Sequence, residues 1–425
     1  MKKCLIITLT LLLFMSMSSF ATNTRVLTMG DNNMILLDEA NIWLFPSRIN
    51  DYPNVVIGEF GSFSHEYYSG EYGSPSEFTE LGIHWKFNEE NPWILATYLH
   101  NSDVVNPISS PFYSYPGYGS PYGYSAQFIP FNDFSLMSNQ RIDLFLGHEW
   151  TIPIGFRLSL IHSSQQNNEP NNLDEEGFRI YQFAAGWTWP VPRIDVAAGL
   201  ELMNWTDKGT DNTSSPATAY DESKPKGNWA LYAMARRFVP NPPYTIVPHA
   251  AIFYAKNEAE YYSAPPPSPS LVQTDKYTRF GIEVGVGLQY APSSNALAVI
   301  DFGLKYDKLD GEFRDTTTYD ASLKTVTIPF FKAGADVKVF RWMDLRVGAT
   351  TYWDRRTREN DFRLIPDKLT QNYANNETYL GFGFHWGDLH VDTYTDPNLF
   401  LKGFNFISGE TNSMNFQISA LYEIM

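Results

Sequence analysis

The sequence predicts an all-β protein: a transmembrane antiparallel up-and-down β-barrel of about sixteen strands, within a range of roughly 14–18, with an N-terminal luminal plug segment. Three observations predict it. Stretches of about ten residues alternate between apolar side chains and polar or small ones, the period of a strand with one dry face. These stretches are joined in turn by very short links and by long polar ones, the asymmetry of an outer-membrane barrel. Finally, the chain opens with an export leader and afterwards never offers the continuous apolar run of about 18 residues that a membrane-spanning helix needs.

The leader is the first element. Lys2 and Lys3 precede an apolar run from Leu5 to Leu13 that continues through Phe14 and Met15, and Ser19-Phe20-Ala21 supplies small residues at the cleavage positions. Residues 1–21 therefore read as a signal peptide. The single cysteine, Cys4, lies ahead of the apolar run and not at its end, where a lipoprotein cysteine would sit. The exported part then has no thiol, and its stability must come from sheet closure and apolar burial, not cystine staples. Formal net charge is −16, and loss of Lys2 and Lys3 with the leader makes it −16 − 2 = −18. Nucleic acid is excluded as a partner for such a surface.

Residues 22–52 break the β rhythm. They read Arg25-Val-Leu-Thr-Met-Gly30, then Ile35-Leu-Leu-Asp38-Glu-Ala-Asn41-Ile-Trp-Leu-Phe-Pro46-Ser-Arg-Ile49. Ile35, Leu36, Leu37, Ile42, Trp43, Leu44 and Phe45 form an apolar cluster that must be buried somewhere. It is either packed inside the barrel or spent in part on an extra strand, for which Ile42 to Pro46 is short.

The order of these residues resembles the N-terminal region of FadL-like hydrophobic-compound transporters and the related PorV-like barrels. In those families a Met-Gly-Gly stretch leads to Asp-Asp-Ala-Ser and then to Asn-Pro-Ala-Gly-Leu. Gly30, Asp38, Pro46 and Ile49 fall at corresponding places, whereas Phe45 stands where the Asn would be and Arg48 where the Gly would be. The likeness is partial and covers about the first thirty residues after the leader. It implies a hatch that folds into the lumen, blocks free diffusion and shapes a greasy binding site, which would place Ile42, Trp43, Leu44, Phe45 and Pro46 at that site.

Residues 53–425 supply the barrel. Candidate strands lie near 54–62, 80–88, 92–101, 140–149, 154–163, 178–189, 193–204, 228–238, 243–256, 277–290, 295–308, 326–340, 342–354, 376–386, 388–396 and 413–424. Turn formers fill the short links, among them Pro190 to Pro192, Pro292 to Asn295 and Gly387-Asp388. Long links, near 63–79, 102–139, 164–177, 205–227, 257–276, 309–325, 355–375 and 397–412, fall at the opposite end of every hairpin.

The clearest strand places Phe280, Ile282, Val284, Val286, Leu288 and Tyr290 on one face, and Gly281, Glu283, Gly285, Gly287 and Gln289 on the other. The polar face converges on the lumen. By the same parity Asp195, Glu201, Arg279, Glu283, Asp301, Lys305, Lys332, Asp336, Asp344 and Arg346 are candidate lumen-lining residues. Charges of both signs at such positions either face a water-filled passage or pair internally and stiffen the barrel. In a soluble sandwich they would form a solvated outer face.

Trp150, Trp187, Trp189, Tyr290, Trp342 and Trp386 gather at predicted strand ends, where an indole or phenol suits a membrane interface. The last strand alternates Phe416, Ile418, Ala420, Tyr422 and Ile424 up to the C-terminus, a pattern that resembles the strand signal read by barrel-assembly machinery, though Met425 stands where a terminal aromatic would be. Loop 102–139 carries a Tyr, Gly and Pro run from Pro111 to Tyr124 that is neither helix nor regular strand, suited to packing locally or against lipopolysaccharide, or to adsorbing a ligand. Ser263 to Ser270 is a Pro-rich excursion.

No nucleophile elbow, His-Glu-x-x-His helix or phosphate-cradling loop occurs, so no catalytic residue, cofactor or metal is expected. His385, Asp388, His390 and Asp392 bracket a two-residue turn, where such side chains more often face water than share an ion. The expected role is passive passage of small hydrophobic or amphipathic molecules across a bacterial outer membrane. Outer-membrane lipid, lipopolysaccharide and the assembly machinery are the expected partners. The alternatives are a general diffusion porin with an open polar channel, and a surface scaffold or protein-export partner with a sealed lumen.

Overall fold

The computed structural model describes residues 22–63, 76–88, 92–102, 139–169, 172–211, 219–264, 270–314, 318–360, 367–395 and 416–424. The predicted leader, most of the tyrosine-rich loop and Met425 lie outside the described residues. Helical structure among them is confined to the N-terminal segment: α1 (Asn23–Thr28) and two 3-10 turns, Glu39–Trp43 and Pro46–Asp51.

The rest is one antiparallel sheet. Its strands are β1 (Val55–Phe63), β2 (Ser76–Lys86), β3 (Trp93–Ser102), β4 (Asn139–His148), β5 (Ile154–Glu169), β6 (Asn172–Pro190) and β7 (Arg193–Asp211). Next comes β8, one course of chain in three pieces, Ala219–Pro225, Asn228–Arg237 and Val239–Asn241, interrupted at Lys226-Gly227 and at Phe238. It is followed by β9 (Tyr244–Ala264), β10 (Ser270–Ser293), β11 (Ala296–Arg314), β12 (Thr318–Phe340), β13 (Met343–Asn360), β14 (Asp367–Trp386), β15 (Leu389–Thr395) and β16 (Phe416–Glu423). The eighteen hydrogen-bonded segments among the described residues thus make sixteen strands. Each strand pairs with the next in sequence, and β16 returns to β1 in register from Val55↔Glu423 to Ser62↔Phe416. Closure removes the free edges that an open sheet would expose.

The two faces separate as the alternation predicts. Ile282, Val284, Val286, Leu288 and Tyr290 of β10 point outward and are exposed, as are Ile142, Leu144 and Leu146 of β4, while Arg141, Asp143 and Phe145 between the latter are buried. So wide a belt of exposed aliphatic and aromatic side chains is stable only against hydrocarbon. At the short-turn rim Trp150, Trp187, Trp189, Trp342 and Trp386 lie on the outside, and Phe340, Trp342, Phe384 and Trp386 stack in series at 5.5, 6.1 and 5.6 Å between centroids. This is the amphipathic girdle that an interface selects.

Strand length differs from the expectation at one end only. The turns at 191–192, 242–243, 294–295, 341–342 and 387–388 fall where turn formers predict them. On the opposite side strands continue far past the apolar alternation: β5 to Glu169, β7 to Asp211, β11 to Arg314 and β13 to Asn360. Much of the predicted loops 164–177, 205–227, 257–276, 309–325 and 355–375 is therefore paired strand. Beyond the bilayer both faces of a strand meet water, so the side-chain pattern lapses while backbone pairing continues.

The luminal plug and its seat

Residues 22–52 lie inside the barrel, nearly all buried, at the short-turn end. Thr22 caps α1, its carbonyl oxygen accepting the amides of Arg25 and Val26 at 3.0 and 3.2 Å. Gly30 and Asp31 end that turn with φ of 79° and 54°, a reversal that favours glycine. Asp38 starts the next turn reciprocally: its carboxylate accepts the amide of Ala40 at 3.4 Å and its own amide donates to Asn41 Oδ1 at 3.0 Å. Pro46 opens the second 3-10 turn, a position that needs no N–H. Ile42 to Pro46 is thus turn and 3-10 helix, not an extra strand, because its backbone bonds close locally, as in Leu44 N to Asn41 O at 3.1 Å.

The plug fits because the facing wall has no side chains where its backbone arrives. Gly147, Gly155, Gly186, Gly287, Gly334, Gly348 and Gly381, on seven different strands, all turn toward it. A Cβ at Gly155 would overlap the Pro46 carbonyl oxygen, one at Gly334 that of Met29, and one at Gly287 the Ile35 side chain. Apolar contacts fill the intervals. Ile42, Trp43 and Ile49 pack with Tyr98 and Phe145, whereas Leu44 and Phe45 pack with Ala184, Tyr232, Met234 and Phe253. Trp43 meets Tyr98 and Phe145 edge-on at 4.9 and 5.1 Å, and the Arg141 guanidinium lies 4.8 Å from its ring.

Wall charges hold the plug backbone. Arg236, fully buried, donates to Asp195 at 2.8 Å, to the carbonyl oxygens of Asn33, Met34 and Leu36 at 3.1, 3.2 and 2.8 Å, and to Asn41 Oδ1 at 2.8 Å. Arg157 donates to the Trp43 carbonyl at 2.7 Å. Lys332 donates to Asp31 at 3.0 Å. Across the lumen, Arg25 bridges Asp38 and Asp336 at 3.1 and 3.0 Å, and Arg346 bonds Asp336 at 3.2 Å and also Asp392. His84 of β2 joins the Tyr98 hydroxyl at 2.6 Å, and that hydroxyl donates to Glu39. Burial pushes the Asp38 carboxyl up to about 7 although Arg25 opposes it, and burial raises Glu39 in the same way.

The ten lumen candidates divide between two levels. Asp195, Lys332, Asp336 and Arg346 hold the plug directly or through one partner, and Asp344 joins them through Arg346 at 3.6 Å and His385 at 2.6 Å. Toward the long loops, Arg279 pairs with Asp307 at 3.0 Å and Glu201 accepts from Gln182 at 2.8 Å, while Asp301, level with Gly287 and Lys332 in the plug seat, contacts His249 at 2.9 Å. Glu283 and Lys305 are opposite one another on β10 and β11. Internal pairing therefore describes most of this lumen better than a row of free charges. His385, Asp388, His390 and Asp392 do not converge: His385 and His390 share a hydrogen bond of 2.7 Å, whereas Asp392 turns inward to Arg346.

Sequence reasoning missed Arg236, Arg157 and Glu59, and gave Arg25 and Asp392 no part in holding the plug. Arg236 and Arg157 had a usable signal, a lone cation at lumen parity in a strand otherwise small or apolar there. The lipid side of the wall beside Leu44 and Phe45 is also distinctive. Ala185 pairs with Ala198, Ala184 with Gly199 and Ala198 with Ala233, so β6, β7 and β8 are thin there, and an apolar groove of about 970 Å³ runs along them between Phe156, Phe183, Leu231 and Phe280.

No family model matches the chain, and no curated protein matches it. Among solved structures it is similar to the ferric enterobactin receptor PfeA of Pseudomonas aeruginosa, at 9% identity and TM-score 0.34, over 87% of this chain and 80% of that one. It is similar to the ferric yersiniabactin uptake receptor FyuA of Yersinia pestis, at 7% identity and TM-score 0.39, over 88% and 80%. A third match is the ferric citrate transporter FecA in its unliganded form, at 9% identity and TM-score 0.38, over 81% and 65%. The closed sheet, its apolar outer belt and its aromatic rim make the chain an outer-membrane-type β-barrel with an N-terminal plug.

Proposed function

We propose that this barrel is a bacterial outer-membrane channel with a luminal hatch, which takes up small hydrophobic or amphipathic molecules without an energy source, as its N-terminal likeness to FadL-like transporters implies. The observation that carries the reading is residues 22–52 folded inside the closed barrel, with Trp43, Leu44 and Phe45 in apolar contact with the wall. A general diffusion porin would keep an open polar passage, which the plug opposes. Ile42, Trp43, Leu44, Phe45 and Pro46 remain the candidate ligand contacts. The Trp43 indole N–H is buried without an acceptor among the described residues, and such a group costs roughly 1–3 kcal/mol until it is satisfied. A solute with an apolar body and one acceptor oxygen fits that requirement. The thin wall and apolar groove beside Leu44 and Phe45 support exit toward lipid as well as along the lumen.

Single-channel recording of the purified barrel, with and without residues 22–50, tests this. The intact protein is expected to conduct little and the deletion variant at least tenfold more. A large steady conductance of the intact protein would sink the hatch, and none in either form would move the reading to a scaffold or protein-export partner.

A further inference from the structure

We propose that the α-amino group of Thr22, released when water hydrolyses the Ala21–Thr22 amide at a signal peptidase, is the counter-ion that completes the acidic pocket where the plug begins, so that leader removal itself locks the plug. The inference rests on the plug and its seat, not on what the channel carries. In the hydrolysis Ala21 keeps the new carboxylate and Thr22 the new ammonium.

The pocket is built and short of positive charge. Thr22 and Thr24 are buried, at 1% and 0% exposure. The Thr22 hydroxyl donates to Asp392 at 2.9 Å, the Asn23 amide to Glu59 at 3.1 Å and the Thr24 hydroxyl to Glu59 at 3.2 Å. Glu59 is itself buried, also accepts from Gln417, and sits opposite Glu80 on β2. Among the described residues it has hydrogen-bond donors but no basic partner. Two guanidinium groups, Arg25 and Arg346, stand among the carboxylates of Asp336, Asp392 and Glu59 and the carboxyl of Asp38, which burial pushes up to about 7. A buried carboxylate without a compensating cation is costly, and one added positive charge offsets it.

The position of that charge follows from covalent geometry. Bond lengths of about 1.5 Å keep the Thr22 nitrogen within about 4 Å of its own hydroxyl oxygen, which already touches Asp392. An α-amino group is cationic at neutral pH. Ser19-Phe20-Ala21 places the cleavage so that this residue becomes the first. Each residue added or removed would displace the ammonium by about 3.5 Å, out of reach of its partners.

The test uses the barrel processed from its own precursor in membranes. N-terminal sequencing and intact mass are expected to show Thr22 first. An amine-selective acylating reagent at pH about 6.5, where lysines stay protonated, is expected to label Thr22 at least tenfold more slowly in the folded barrel than in the urea-unfolded chain. A variant with Gly-Ser inserted between Ala21 and Thr22, its start checked by mass, should label as fast as the unfolded chain and open at least tenfold more often in single-channel traces. Asp392→Asn should open more often with the same first residue. A mature start elsewhere, a native amine as reactive as the unfolded one, or an insertion that changes neither labelling nor opening overturns the proposal. Labelling needs no solute to pass, so its failure is distinct from a failure of transport.

Discussion

The half of the lumen nearest the short turns and the half nearest the long loops satisfy their buried charges by different means. In the first, wall cations end on the plug: Arg236 on three of its carbonyl oxygens, Arg157 on a fourth and Lys332 on Asp31. In the second, wall groups answer one another across neighbouring strands, as Arg279 does with Asp307 at 3.0 Å, Gln182 with Glu201 at 2.8 Å and Thr327 with Asp354 at 2.6 Å. The loop half is therefore complete without the plug, while the short-turn half is an unfinished wall whose last layer is the plug itself. A buried charge deprived of its partner costs far more than a surface one, so the two halves should respond unequally to equivalent changes.

The sharpest way to break the comparison is to remove one arginine from each half. Arg236→Ala leaves the buried Asp195 without its cation and removes the guanidinium from the plug carbonyls, and the folded barrel should lose about 3–5 kcal/mol, seen as a lower temperature for the heat-modifiable gel band together with frequent channel opening. Arg279→Ala should leave opening at the parent level, because its partner Asp307 lies on the wall. Equal opening in both variants would dissolve the distinction.

A smaller effect is expected from the seat. Gly155→Val pushes a side chain into the Pro46 carbonyl and Gly334→Val one into that of Met29, overpacking of about 1–3 kcal/mol each. Gly58→Ala meets open space and should be neutral, so the three together separate loss of the seat from loss of strand glycine in general. If the valine variants remain as closed as Gly58→Ala in conductance, the glycines do not form the seat.

The smallest effect is in pH. Asp38 titrates near 7 in the docked plug and near 3.9 when released, so between those values the docked form binds more protons. Docking is thus fully favoured below about 4 and weakens as pH rises through about 7. More opening at pH 8 than at pH 5, flattened by Asp38→Asn, is the expected result; opening that grows on acidification would count against it.

Much of this was legible in the chain before folding. The outer face was, since Ile282, Val284, Val286 and Leu288 state their orientation by parity alone, and so was the short rim, where Pro190, Pro292 and Gly387 end their strands. The strand extensions past the long-loop side were not legible, because two wet faces impose no alternation. The apolar plug cluster announced that it needed burial, and Ile42 to Pro46 announced nothing about being turn and 3-10 helix. The lumen charges could be listed but not matched. Asp336 and Arg346 were visible only as separate lumen candidates, whereas Arg25, the residue that joins Asp336 to Asp38, lies some three hundred positions away in sequence.

The sequence by itself determined the class: all-β, with a closed count near sixteen, because bilayer and water act on each strand locally and each leaves a period of two. Only the tertiary structure decided the partners of the plug. Its contacts join residues 22–52 to strands spread around the whole ring, and a meeting place set by closure of the sheet has no local signature for the chain to carry.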